Sequence, residues 1–572
     1  MGSQTQLVII FAVIFAGYYL FWRIAKANIQ PWNFKAFFLG NANIGTDLTE
    51  NNTLGITFAW SGGTWYFAWL AYQYGPWVIV SQIFWCFSII CLAILLPRII
   101  TQISNKTIHG FLRDHYGDRT QRAAALATTI GYFVNAGFEL FWSSLLLARC
   151  LNREDLSLPV ALVFAILVGT YCAVGGYKSN ATIDKAQNLF GVLSLAGLVW
   201  LVSTTVNIPP SFALAAQLFF GGAVIYTIVS LLLYFRPLRR FPRVQNGIAA
   251  LYALAAFAIA YLVIMPAHPG AHLASFPVTN APVPLWIIIG TVTFQIFFNV
   301  IDMQNWQEIA ANGDAPPAQY KFISWAIVRA SSYLLWFPAL GGVLLGCLMK
   351  VLSAQVTDQN LFTYAFGQVL PHTDTLPRAI ILGLLFLGFI STSLSTVGDL
   401  LMSALQTVSF DIVWPKRIQQ LMARAPSEAG TGEQRKLVLK ARTWLIPMAV
   451  VMVVTFWGLW KLYPGPVFNF QAMMYAAPLA LLAPVLIALL LPRLAKYLSG
   501  KVTFTAIVAS VVAIVIMFVV SAIPGMSDPI VNWTLSFMPL AANLLSWGIC
   551  IGGVLLAMTR DRNKAIGTAK VG

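Results

Sequence analysis

The chain has 572 residues, 59% of them hydrophobic and 9% charged, with a mean hydropathy of +0.75. Soluble domains carry roughly a quarter charged residues, so this composition excludes a water-soluble globular protein and points to one embedded in a bilayer. Lys and Arg number 35 against 19 Asp and Glu, a net charge of +16. Their placement, taken up below, reads as membrane topology and not as a nucleic-acid surface.

A membrane-spanning helix needs roughly 20 mostly apolar residues. By that measure about fifteen spans are predicted, near 5–23, 53–73, 76–98, 122–148, 158–177, 183–206, 212–235, 245–266, 283–302, 322–349, 379–411, 441–462, 466–491, 502–523 and 535–558. The longest hydrophilic gap, 414–440, is too short for a separate soluble domain. The first run, "LVIIFAVIFAGYYLF", has no basic segment ahead of it and is followed by Arg23 and Lys26. That is the pattern of an anchor with its N-terminus outside, not of a cleaved signal. With that start, roughly 29 of the 35 basic residues fall in cytoplasmic segments, among them "RDHYGDRTQR", "RPLRRFPR", "PKRIQQLMARAPSEAGTGEQRK" and the tail "RDRNKAIGTAK". An odd number of spans then puts the C-terminus in the cytoplasm. The expected location is the plasma or inner membrane. Nineteen Trp and nineteen Tyr suit aromatic belts at the two interfaces.

The six cysteines (Cys86, Cys91, Cys150, Cys172, Cys347, Cys550) are scattered, and the five histidines do not cluster. Neither a disulfide framework nor a zinc site is indicated. No nucleophile–base set is visible, so an enzyme is the least favoured class, and no cofactor is expected.

Charged groups at membrane depth are rare, costly and usually functional. Five are found: Glu139 in "YFVNAGFELFW", Asp184 in "GGYKSNATIDKAQNLFG", Asp302 in "FFNVIDMQNWQ", Arg329 in "SWAIVRASSY" and Asp399. Each has a structural alternative. Asp302 and Arg329 could form an ion pair, Asp184 could cap a helix start, and Glu139 could make a single structural hydrogen bond. Asp399 lies in "FISTSLSTVGDLLMSALQTVSFDIV", where Thr392, Ser395, Thr396, Asp399 and Ser403 recur at three- and four-residue steps. On a helix these share one face. Hydroxyl and carboxylate oxygens together suit a hard cation such as sodium. Hydroxyls in membrane helices also bond back to their own carbonyls or allow close packing, which explains the serines and threonines better than it explains Asp399. In "NNTLGITFAWSGGTWYFAWLAYQYG" (51–75), two glycines stand inside an apolar run. They suit either a small-residue packing face or a helix that breaks and exposes carbonyls at the midplane.

Together these segments resemble the sodium/solute symporter family, which contains proline, sugar, sialic acid, urea and monocarboxylate transporters. "STSLSTVGDLLMSALQTVSFDIV" resembles the family's eighth core helix, with the pair Ser395-Thr396 and Asp411 fifteen residues on. "GGYKSNATIDKAQ" is similar to the fourth-to-fifth core junction, with Asp184 and Gln187 in place and Ile183 where a Thr is usual. "ITFAWSGGTWYF" is similar to the broken first core helix. "DMQNWQEIAAN" is similar to the end of the sixth core helix, and its Trp306-Gln307 to the urea-transporter branch. The likeness runs from about residue 35 to about 490.

The resemblance implies an all-α, polytopic, five-plus-five inverted-repeat transporter fold with a broken first core helix. The expected divisions are 1–52, an N-terminal helix and loop; 53–206, the first repeat; 207–282, an inserted helix pair outside the family pattern; 283–491, the second repeat; and 492–572, two C-terminal helices and a basic tail. It implies a main sodium site from the carbonyls of Thr57, Trp60 and Thr392 and the hydroxyls of Ser395 and Thr396. Some members hold a further sodium with groups that match Asp184, Ser395, Gly398 and Asp399. Here Gly398 has no hydroxyl and Asp399 brings a carboxylate. Two close carboxylates in low dielectric do not both stay ionised without a cation, so a second cation or a shared proton is expected. Solute contacts are expected from Ser61, Gly62, Thr64, Trp65, Glu139, Gln295, Asn299 and Asp302. The resulting expectation is sodium-coupled symport of a small polar solute, an amino acid or urea-like compound being favoured, by a protein functional as a monomer. The partners are that solute, sodium and the lipid bilayer, with no nucleic acid. The alternatives are a proton-coupled carrier on the same fold and a transporter-like sensor with a separate signalling partner; only about a dozen residues follow the last span.

Overall fold

The computed structural model describes the chain apart from residues 1–2, 29–32, 104–106, 206–207, 235–241, 265–284, 353–354, 358, 370–374, 424–430, 464–466, 524–526 and 570–572. All regular structure among the described residues is helical. A bilayer offers no partner to an open backbone, so a helix, which satisfies its own N–H and C=O groups, is what such apolar runs adopt. The basic loop at 236–243 and the middle of segment 415–436 fall largely outside the described residues.

The first helices are α1 (Ser3–Ala27), the short α2 (Phe34–Leu39), α3 (Gly45–Thr57) and α4 (Trp65–Tyr74), followed by α5 (Ser81–Gln102), α6 (Ile108–Tyr116) and α7 (Asp118–Cys150). Next come α8 (Ser157–Thr205), α9 (Pro210–Tyr234), α10 (Pro242–Ile264), α11 (Leu285–Ile301), α12 (Met303–Ala310), α13 (Pro317–Leu334), α14 (Gly341–Val351) and α15 (Leu361–Val369). The chain closes with α16 (Leu376–Thr407), α17 (Pro415–Ala423), α18 (Thr431–Leu462), α19 (Val467–Leu479), α20 (Leu482–Leu490), α21 (Pro492–Ala495), α22 (Gly500–Ser521) and α23 (Ser527–Ala569).

Twelve described helices are long and apolar enough to cross a membrane. The difference from the sequence expectation is local. The predicted spans 158–177 and 183–206 lie in one continuous stretch, Glu154–Thr204, which turns at Gly176. There φ is 66°, a conformation that favours glycine, and a Cβ would stand 2.7 Å from the Phe37 carbonyl oxygen. The predicted span 53–73 divides into α3 and α4 because the helix breaks between them, and α11 has 17 residues.

Packing centres on α16, which lies along α8 and also touches α1, α7 and α3. α3 sits between α8, α13 and α16, while α4 packs on α14. The α4–α14 approach is close: a Cβ on Gly346 would stand 2.0 Å from the Ala68 carbonyl oxygen. Small residues permit such backbone contact where lipid gives no hydrophobic drive between helices. α7 joins α16, α18 and α19, and α22 and α23 pair against α7, α11 and α19. α9 and α10 pack on α8 and α13. Their outer residues, such as Leu251, Leu254, Ile225 and Ile228, are exposed, as lipid-facing side chains are.

Two of the structural alternatives for charged residues do not hold. Asp302 and Arg329 do not pair. Arg329 donates to Glu50 Oε2 of α3 at 2.6 Å and to Asn246 Oδ1 of α10 at 3.0 Å. Asp302 stands at the break between α11 and α12 as the N-cap of α12, accepting from the Gln304 N–H, and faces α7, where the Tyr132 hydroxyl donates to it. Asp184 caps no helix start, because α8 turns at Gly176 and runs as helix through position 184.

Candidate functional site

The break in α3–α4 starts at Phe58, whose φ of −81° and ψ of 68° form an inverse γ-turn in which the Ala59 N–H donates to the Thr57 carbonyl at 2.9 Å. Ala59 is extended, and a single π-helical turn, Trp60–Thr64, then leads into α4. Gly63 lets this turn close over the Thr57 carbonyl, 2.8 Å from where a Cβ would stand. The Trp60 carbonyl accepts the Trp65 N–H. The carbonyls of Thr57 and Trp60 are therefore both engaged inside the break.

α16 meets that break with Ser395 and Thr396. The Thr396 hydroxyl donates to the Gly55 carbonyl at 2.9 Å, and to the Thr392 carbonyl at 3.3 Å. The carbonyl facing the pair is thus two residues earlier than Thr57. Gly55 is required there, because a Cβ would lie 2.8 Å from Ser395 Oγ. The Thr392 hydroxyl bonds back to the Phe389 carbonyl at 3.0 Å, so it turns to its own helix. Ser395 Oγ donates to Asp184 Oδ1 at 2.7 Å. Lower on the same face, Ser403 donates to Gln307 of α12.

Asp184 and Asp399 are both buried and share one donor. Asn180 Nδ2 reaches Asp399 Oδ1 at 2.7 Å and Asp184 Oδ2 at 3.3 Å. Asp399 Oδ2 meets no hydrogen-bond donor among the described residues. Gly398 has a steric reason to be glycine: a Cβ would stand 2.3 Å from Asn180 Oδ1. The Asn180 carboxamide thus fills the space beside α16 that a larger side chain at 398 would take. A third buried carboxylate, Glu308 of α12, accepts from Thr53 at 2.7 Å and Asn52 at 3.2 Å. No ion pair neutralises any of the three among the described residues. Nor, among those residues, do three or more His, Cys, Asp or Glu side chains come together as metal ligands. The oxygen set around Asp184, Asn180, Ser395, Asp399 and the Gly55 carbonyl fits a monovalent hard cation better than a transition metal.

Beside this cluster lies a cavity of about 30 Å³, room for about two waters. Thr57, Ala59 and Thr396 form one wall, and Tyr132, Asn135 and Glu139 of α7 another. Asp302, Gln304, Trp85, Phe298 and Tyr475 also line it, with Ile56, Met474 and Pro478. Thr396 therefore touches both the carbonyl end of α3 and the cavity.

Of the predicted solute contacts, Glu139 and Asp302 line this cavity. Trp65 lines a separate crevice with Trp142 and Arg149. Thr64 is buried, with its hydroxyl lacking a partner among the described residues. Gln295 and Asn299 are buried on α11, where the Asn299 N–H donates to Ser88 at 2.9 Å. The side chains of Ser61 and Gly62 lie outside the described residues. Sequence reading missed Tyr132, Asn135 and Glu308. The first two were detectable, since Tyr132, Asn135 and Glu139 recur at steps of three and four and so share a helix face.

Asp411, fifteen residues beyond Thr396, is buried in a polar node. It accepts from Thr107 at 2.9 Å and Gln121 at 2.8 Å and bonds His109 Nδ1 at 3.0 Å. His109 Nε2 in turn contacts Thr128 Oγ1 at 3.0 Å.

Compared with solved structures, the chain is similar to a Na+-coupled sialic acid symporter in a substrate-bound, outward-open state. The two share 11% identity over 96% of this chain and 98% of that one, with a TM-score of 0.58. It also matches a nucleobase-cation-symport-1 family transporter in a closed conformation, at 11% identity over 93% and 96% of the two chains with a TM-score of 0.48. A manganese transporter of Eremococcus coleocola matches at 11% identity over 90% and 94%, with a TM-score of 0.43. No family model matches the chain, and no curated protein matches it in sequence. At such identity the likeness to the sialic acid symporter shows the fold, so this is a multi-pass membrane protein with the all-helical fold of a secondary transporter.

Proposed function

We propose that this protein is a sodium-coupled symporter that carries a small polar organic solute into the cell by alternating access. The observation that carries the reading is the position of Thr396, whose hydroxyl meets the Gly55 carbonyl at the end of the broken helix and whose side chain also lines the cavity. An ion held there bears directly on the shape of the solute site. Sodium is coordinated by the hydroxyls of Ser395 and Thr396, the Thr392 carbonyl and carbonyls at the end of α3, where Gly55 joins Thr57 and Trp60 as a candidate. The symporter of similar fold is itself Na+-coupled, which supports this choice of ion.

The helices 53–206 and 283–491 act as two inverted repeats, with the N-terminus outside and the C-terminus in the cytoplasm, following the Lys and Arg bias of the loops. Rocking of one bundle against the other exposes the cavity first outward and then inward. The membrane potential contributes roughly 2.3 kcal/mol per charge per 100 mV to each inward step. At about 30 Å³ the cavity is closed down around the site, and admitting a solute requires the surrounding helices to part.

A second reading concerns the pair Asp184–Asp399. Asn180 joins the two carboxylates, and Asp399 keeps an oxygen without a donor. The pair holds a second cation, a proton or another sodium, that moves with the solute. Uptake into proteoliposomes under imposed gradients tests both readings. Accumulation that needs a sodium gradient supports the main site. Accumulation driven by a proton gradient without sodium removes it and leaves the carboxylate pair as the coupling site.

A further inference from the structure

We infer that Glu308 of α12 is a proton-binding site, separate from the oxygens proposed for sodium, which exchanges its proton with water at the Gly45 end of α3 and weakens sodium binding when loaded. The link to sodium rests on the transport reading above; the proton site itself does not.

Glu308 is 2% exposed, and the side chains that meet its carboxylate come from α3. Thr53 Oγ1 lies 2.7 Å from Oε1, and Asn52 Nδ2 lies 3.2 Å from Oε2. The same Thr53 hydroxyl stands 2.9 Å from the Thr49 carbonyl, which only accepts. One hydroxyl has one proton to give and here has two acceptors within reach. With Glu308 ionised, Thr53 donates to it, and the Thr49 carbonyl keeps only the bond of its own helix. With a proton on Oε1, Glu308 donates to Thr53 and Thr53 donates to Thr49, so that each oxygen along the line is served.

Asn52 accommodates either charge. Its Nδ2 donates to the ionised Glu308 and to Tyr177 Oη, both at 3.2 Å, while its Oδ1 meets no donor among the described residues at 1% exposure. A half-turn of the carboxamide puts an acceptor where Nδ2 stands, and that acceptor takes the protons of Glu308 and Tyr177. One end of the amide is unserved in either orientation, so Asn52 favours neither state.

A polar file joins the site to water. Thr49, one turn before Thr53, accepts from Asn312 Nδ2 and donates to the Gly45 carbonyl, both at 2.9 Å. The Gly45 N–H donates to Asn312 Oδ1 at 3.3 Å. Gly45 is half-buried, and Asp314, just past Asn312, is exposed. The proton comes from water at that end and returns to it, and no other group changes its charge.

The surrounding charges set the sign of the effect. α12 packs on α2, α3, α5, α11 and α16. Asp47 and Glu50 of α3 pair with Lys185 and Arg329, and Lys35 of α2 pairs with Asp314. α11 brings no charged group, and the one on α5 is Arg98. Tyr177 of α8 reaches the site through Asn52. From α16 comes Asp399, one turn before the Ser403 that donates to Gln307, the neighbour of Glu308. A proton on Glu308 therefore takes a negative charge away from the side of the bundle where Asp184, Asp399 and the Gly55 carbonyl gather, and a cation there is held less tightly.

The proton site is tested by a pH titration of the purified full-length protein in sodium-free buffer, read by infrared difference spectroscopy. A protonated carboxyl has a carbonyl band that its carboxylate lacks. One such band should vanish in Glu308→Gln, remain in Asp399→Asn, and shift in frequency in Thr53→Ala, because Thr53 is its hydrogen-bond partner. A Glu308→Gln spectrum that keeps every wild-type carboxyl band overturns the proton site. Should Glu308→Gln fail to fold, Thr53→Ala decides, and carboxyl bands all at their wild-type frequencies overturn it equally. Sodium-dependent thermal stabilisation reads the coupling. The wild-type sodium midpoint should be at least about five-fold higher at acid than at alkaline pH. Glu308→Gln, neutral at every pH, should stay near the acid value. A change as large in Glu308→Gln as in the wild type overturns the coupling. If sodium stabilises the wild type at no pH while the band behaves as described, the proton site stands and the sodium reading fails.

Discussion

The hydroxyl of Thr396 in α16 donates to the carbonyl of Gly55 in α3 across 341 residues of sequence, at 2.9 Å. Local features of α3 frame this contact. α3 stops two residues later at the Phe58 turn, and Gly55 has no side chain that would block Ser395. The contact joins the proposed ion-binding oxygens to the cavity wall.

Thr396→Ala deletes one oxygen from that set and leaves the Gly55 carbonyl in place. The sodium concentration for half-maximal uptake should rise about ten-fold, the equivalent of about 1.4 kcal/mol and the scale of one hydrogen bond to a charged group. Thr396→Ser should restore it. Initial uptake rates over a sodium series give the answer, and an unchanged midpoint would take Thr396 out of the ion site.

Asp399→Asn keeps the size of the side chain and removes the charge beside Asp184. The number of positive charges moved per solute should fall, or the pH dependence of uptake should flatten. Currents on a supported membrane, calibrated against radiolabelled solute, measure both. Wild-type stoichiometry and pH profile would assign Asp399 to packing alone.

Gly398→Ser restores a hydroxyl at a position where Asn180 already fills the space, with Oδ1 2.3 Å from the new Cβ. Overpacking of this kind costs about 1–3 kcal/mol. Thermal unfolding in detergent should show the loss. Combining it with Asn180→Ala should recover a good part, so the two changes should be non-additive. Strict additivity would mean that the two groups do not compete for one volume.

Arg329→Ala leaves Glu50 without its cation at a site where the two side chains are 6% and 14% exposed. Breaking a largely buried pair from one side costs about 3 kcal/mol or more, whereas replacing both partners by apolar residues is close to neutral. Arg329→Met with Glu50→Leu should therefore be more stable than Arg329→Ala alone. Because Asn246 of α10 also binds Arg329, the single variant should in addition loosen α10, seen as faster hydrogen exchange at 242–250.

Part of this molecule could be read directly from its residues. Long apolar runs have only one stable backbone form in lipid, so the helices and most of their limits follow from composition. The polar face of Thr392, Ser395, Thr396, Asp399 and Ser403 follows from helical spacing, and the two glycines at 62 and 63 mark the break. The destination of each side chain did not follow. Thr392 turns back to its own helix, Thr396 goes to α3, Ser395 to α8 and Ser403 to α12. One face of a helix can meet three neighbours, and spacing along one chain carries no record of them.

The same limit explains the misplaced ion pair. Asp302 and Arg329 are close in sequence and opposite in charge, yet Arg329 finds Glu50, 279 residues away, because α13 packs on α3. The facing carbonyl shifted from Thr57 to Gly55 for a related reason: where the γ-turn at Phe58 ends the helix decides which oxygen points at α16. By itself, then, the sequence determined an all-helical membrane protein with intramembrane oxygens suited to a hard cation, since hydropathy and helical period are local properties. Only the tertiary structure decided that Asn180 ties Asp184 to Asp399, that Thr396 meets both the Gly55 carbonyl and the cavity, and that Glu139 and Asp302 face one small space. Those are contacts between distant segments, fixed by helix packing and by nothing that neighbouring residues express.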